Sequence, residues 1–159
     1  MEHRHGQHSH GQPGSLTGSA VQATLHCLTG CAIGEVLGMV LATALGWGNA
    51  ASIAVSVALA FLFGYALTIR PVLRAGVGLR RAAGVAFASD TVSIATMEIV
   101  DNAFILLVPG ALAAGLADGL FWWSLTVSLV TAFILTVPVN RWLIARGRGH
   151  AVMHELHAH

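Results

Sequence analysis

Apolar residues in this chain fall in four long, nearly unbroken runs rather than in stripes. The runs extend from Ala23 to Leu45, Ala50 to Ile69, Ala82 to Val108 and Leu120 to Ile144. Each has at least the roughly 20 residues that a helix rising about 1.5 Å per residue needs to cross a hydrocarbon layer. A surface helix of a soluble protein would show one apolar face and one polar face. Four runs with no amphipathic partner to cover them leave no way to build a soluble core. The pattern predicts an all-α, polytopic membrane protein with four transmembrane helices. Trp47 follows the first run, and Trp122, Trp123 and Trp142 flank the fourth. Those are the positions of an interfacial aromatic belt.

The polar segments between the runs set an orientation. "RPVLRAGVGLRRA" carries Arg70, Arg74, Arg80 and Arg81, and Arg141, Arg146 and Arg148 surround the end of the last run. "GWGNA" and "PGALAAGLADG" carry no arginine, and the second holds Asp118. The positive-inside rule then places the arginine segment and both termini in the cytoplasm. Pro71 suits a helix start. With Val72, Leu73 and Val77 it predicts a short amphipathic segment on the cytoplasmic membrane surface. The chain divides into a His- and Gly-rich disordered tail over residues 1–22, a membrane domain over 23–145, and a His-rich tail over 146–159. The polar start lacks the apolar core of a signal peptide. The expected location is a bacterial inner membrane, in contact with lipid.

Composition supports this reading. Charged residues are 9% of the 159 and hydrophobic residues 55%, against about 25% charged in soluble domains. There is no basic block for nucleic acid, no Ser–His–Asp arrangement and no phosphate-binding loop, so the chain is not expected to be an enzyme.

Four carboxylates interrupt the apolar runs: Glu35, Asp90, Glu98 and Asp101. No lysine or arginine lies deep in any run to pair with them. Protons, a bound cation or polar neighbours must satisfy them. In the first run Cys27, Cys31, Glu35 and Met39 recur every fourth residue, along one slowly turning face, with His26 on the adjacent face. In the third, Asp90, Met97, Glu98 and Asp101 also share a face. By helix rise, Cys31 and Asp90 lie in the inner half, Glu35 and Glu98 near the middle, and Met39 and Asp101 in the outer half. If the two helices face each other, these groups form a ladder of thiol, carboxylate and thioether. Thiolate and thioether favour monovalent copper, and thiolate, imidazole and carboxylate suit zinc. The expected function is therefore a channel or transporter for a cation, a transition metal such as copper or zinc, with no other cofactor. The candidate ligands are His26, Cys27, Cys31, Glu35, Met39, Asp90, Met97, Glu98 and Asp101.

Other readings use the same residues differently. The methionines and cysteines also suit plain apolar packing. The cysteines lack disulfide geometry on a helix and the Cys–x–x–Cys redox spacing, which weakens a redox role. A proton or alkali-cation channel needs only the carboxylates. Gly30, Gly34 and Gly38 form a small-xxx-small face. That face suits packing on a neighbouring helix, packing on a second copy, or leaving room for water. A structural or regulatory subunit would assemble through it and the acidic face. Four helices make a thin wall for a path, so a homo-oligomer is expected.

The segments "HCLTGCAIGEVLG", "GYALTIRPVLRAG", "SDTVSIATMEIVDN" and "VPVNRWLIARGRGH" resemble a family of small bacterial membrane proteins defined by a domain of unknown function (domain of unknown function 4396). The likeness covers about Thr24 to His150. It implies a multi-span inner-membrane protein and assigns no role to His26, Cys27, Cys31, Glu35, Asp90, Glu98, Asp101 or Asn102, which match its distinctive segments.

Overall fold

A computed structural model describes residues 15–146. The described residues form four long helices: α1 (Leu16–Leu45), α2 (Asn49–Arg74), α3 (Leu79–Leu107) and α4 (Gly119–Ala145), with one 3-10 turn at Ala111–Ala113 before α4. All four are long and apolar enough to cross a membrane. The fold is the expected all-helical, four-span architecture.

Local sequence explains the helix ends. α1 begins at Leu16, inside the stretch expected to be tail, because the Ser15 hydroxyl accepts the free N–H of Gly18 at 3.1 Å. A hydroxyl at this position satisfies one of the first-turn donors. The rest of the expected tails, residues 1–14 and 147–159, lies outside the described residues. α1 ends at Gly46, whose φ of 65° reverses the chain at no steric cost. The arginine segment differs from expectation. Instead of forming a separate surface helix, its first part continues α2 through Pro71 to Arg74 and its last part opens α3 at Leu79. Only residues 75–78 turn, with Gly76 at a φ of 82°. Proline removes one backbone donor but keeps a helical φ. Val72 anchors this last turn of α2, being 2% exposed.

Short connections make neighbouring helices antiparallel. α1 packs on α2 and α4, α3 packs on the same two, and α1 meets α3 across the bundle centre. The closest pair is α1 and α2. A Cβ on Gly30, Gly34 or Gly38 would lie within 3.0 Å of the backbone of Gly64, Ala60 or Ser56, respectively. The glycine face of α1 is therefore filled by the small-residue face of α2 in the same chain.

The bundle is polar inside and apolar outside. Thr24, Ser89, Ser93, Ser128, Thr136 and Asn140 are buried together with all four helical carboxylates, while Leu62, Phe87, Ile99, Leu107 and Ile134 are exposed. In water this arrangement would expose large apolar faces. In lipid it is the stable one, because intrahelical bonds satisfy the backbone and polar side chains turn inward.

Candidate carboxylate cavity and sulfur contact

The polar interior divides by depth. At the end of the bundle away from Arg70, Arg74, Arg80 and Arg81, a cavity of about 250 Å³ runs inward from Trp47 and Asn49. Glu35 lies ten residues before the end of α1, so the cavity reaches about 15 Å inward, near half the hydrocarbon thickness. Glu35, Glu98 and Asp101 line it, with Asn102, Ser124 and Met39. The volume has room for about eight waters at roughly 30 Å³ each. It is large enough for a cation that keeps part of its hydration.

α1 supplies Glu35, and one helical turn of α3 supplies both Glu98 and Asp101. The three carboxyl groups are neighbours, Glu35 lying beside Asp101 and Glu98. Glu35, Glu98 and Asp101 are 7%, 5% and 2% exposed, respectively. Among the described residues, neither oxygen of Glu35 or Asp101, nor Oε1 of Glu98, has a well-formed hydrogen bond. The Ser124 hydroxyl is in the same state. Asn102 donates its side-chain amide to the Glu98 backbone carbonyl at 2.8 Å and lies 3.5 Å from Glu98 Oε2. No arginine or histidine lines the cavity among the described residues. Buried acceptors without donors mark a place that a cation or water fills.

Beneath the carboxylates the interior becomes sulfur-rich and closely packed. Cys31 Sγ donates to Met97 Sδ at 4.0 Å across the bundle centre. Both residues are 1% exposed and pack with Cys27, Ala60, Ile94 and Ala132. The cysteines are free thiols. Cys27 lies one turn further in, beside Asp90, which accepts from Ser89 Oγ at 2.7 Å. His26 is half-buried on the adjacent face of α1, outside the cavity lining.

The nine predicted residues are thus arranged by depth rather than gathered at one point. Glu35, Met39, Glu98 and Asp101 share the cavity, Cys31 meets Met97 below it, and Cys27 and Asp90 lie deeper. Among the described residues, no group of three or more His, Cys, Asp and Glu has the arrangement to hold a metal ion. The half of the bundle nearer the arginine segment also holds a feature that the spacing of single helices did not reveal. Asn140 donates to Thr24 Oγ1 at 2.8 Å, and the Ser93 hydroxyl donates to the Asn140 side-chain carbonyl. This bridge joins α1, α3 and α4.

The family described as "Domain of unknown function (DUF4396)" matches residues 18–149. The chain belongs to this family. The matched region contains all of α2, α3 and α4, all but the first two residues of α1, and every cavity residue named above. No curated protein and no solved structure matches the chain. The family description assigns no chemistry, so the functional argument rests on the side chains.

Proposed function

We propose that the protein is a channel or transporter for a cation, which occupies the cavity lined by Glu35, Glu98 and Asp101. The single observation that carries this reading is the set of three adjoining buried carboxyl groups, most of whose oxygens lack a well-formed hydrogen bond, around a cavity of about 250 Å³ with no basic side chain in its lining among the described residues. A carboxylate at this depth is costly unless a positive charge or a proton meets it. The lining holds three of them.

The arrangement favours passage over tight storage. The carboxylates adjoin one another but do not form a chelate of three ligands. A path requires sites that attract an ion yet release it. In the orientation proposed here, the arginine end faces the cytoplasm of a bacterial inner membrane and the cavity receives its cation from the opposite side. An assembly subunit using the glycine and acidic faces is less well supported, because both faces turn inward against the chain itself.

Labelling of the carboxyl groups in detergent-purified protein tests the reading. A hydrophobic carbodiimide is expected to modify Glu98 or Asp101, and a permeant cation is expected to slow that modification in a concentration-dependent way. Equal labelling with and without every monovalent and divalent cation tried would count against occupancy of the cavity.

A further inference from the structure

We propose that Cys31 and Met97, directly beneath the carboxylates, form a station for monovalent copper, which makes that ion the cargo. This rests on the cation-path reading above and names its substrate class.

Four observations point to it. The two sulfur atoms are 4.0 Å apart and come from different helices, so an ion between them would join α1 to α3. Glu98, which lines the cavity, lies beside the Cys31 thiol. Glu98 is 95% buried, since 5% is exposed, and its Oε1 has no hydrogen-bond partner among the described residues. Finally, Met39, a third sulfur-bearing residue, is among those lining the cavity above.

Ligand type and charge select the ion. Thiolate and thioether are soft donors that favour monovalent copper. Zinc usually takes four ligands from Cys, His, Asp and Glu, and thioether is not among them. The described residues do not supply even three such groups at one point. Monovalent copper accepts two or three soft ligands, so Cys31 and Met97, with Glu98 beside them, suffice. Charge agrees. As copper binds, the Cys31 S–H bond breaks, a sulfur–copper bond forms, and the proton passes to the neighbouring Glu98 carboxylate. Copper remains monovalent throughout. One positive charge meets one thiolate, so the station itself is neutral within closely packed Ile94, Ala60 and Ala132.

The test uses the full chain, purified in detergent under anaerobic reducing conditions and loaded with monovalent copper alone. X-ray absorption at the copper edge is expected to show sulfur ligands. The near-isosteric Cys31→Ser variant is expected to lose the thiolate–copper signal, and Met97→Leu to weaken copper binding by about tenfold or more. The same spectrum separates sulfur ligands from nitrogen ligands, so copper held by histidine is told apart from copper at Cys31. In the unaltered protein, copper is expected to slow alkylation of Cys31 whereas zinc does not, a readout independent of variant folding. Copper bound without sulfur ligands, or unchanged sulfur coordination in Cys31→Ser, would overturn the station. If carboxylate variants abolish the flux of another cation while copper ignores Cys31, the cavity reading stands and the copper assignment falls. If copper binds through Cys31 but no cation crosses the membrane, the transport reading falls instead.

Discussion

Asn140 has its side-chain amide in the middle of the bundle, donating to Thr24 and accepting from Ser93. Interhelical hydrogen bonds in membranes are worth about 0.6 kcal/mol each on average. Replacing Asn140 also leaves two buried hydroxyls without this partner. Asn140→Leu is therefore expected to lower stability by about 1–2 kcal/mol, measured by unfolding in mixed micelles. The carboxylates behave differently. Glu98→Gln and Asp101→Asn remove charge at nearly constant volume, so the bundle is expected to hold its stability or gain some while cation occupancy falls. Equal losses of stability and occupancy would instead show a structural role. At this scale the sequence was informative about depth and silent about partners. The four-residue spacing put Cys31, Glu35 and Met39 on one face. The meeting of Cys31 with Met97, and of Asn140 with Thr24 and Ser93, depends on how separate helices rotate against one another, which spacing within a helix does not contain.

The α1–α2 pair shows what small residues achieve at the scale of elements. Gly34 faces the backbone of Ala60 so closely that a methyl group there would force the helices apart, with a Cβ-to-Cα separation of 2.5 Å. Gly34→Ala is expected to cost about 1–3 kcal/mol, as overpacking does elsewhere. Gly84→Ala on α3 meets nothing within 4 Å. It is expected to be neutral or to stabilise by up to about 1 kcal/mol through helix propensity. Comparing the two variants in one unfolding series separates packing from propensity. The glycine repeat was legible as a close-approach face, but its partner was not. A second copy, a water-filled gap and a neighbouring span all suit the same pattern, and only the matching Ser56–Ala60–Gly64 face on α2 decides between them. Pro71 misled in the opposite direction. A proline suits the start of a helix, yet here α2 runs through it because Thr68 and Val72 on either side are buried against the bundle.

For the whole molecule, four apolar runs in the sequence correspond to four long helices, because a lipid-facing helix needs apolar residues all round and its composition alone marks it. The asymmetry of arginine gives the proposed orientation. A Gly76→Cys substitution in the α2–α3 turn is expected to react with an impermeant thiol reagent only after the membrane is opened. An Ala117→Cys substitution, next to Asp118, is expected to react in intact cells. The reverse pattern would invert the molecule and turn the cavity toward the cytoplasm. The central claim concerns passage itself, and cation flux into proteoliposomes tests it most directly. Vesicles containing the protein are expected to take up cation faster than empty vesicles, and a Glu98→Gln/Asp101→Asn protein of unchanged helicity is expected to lose most of that flux. Flux equal to that of empty vesicles across monovalent and divalent cations, or full flux through the double variant, would contradict the account.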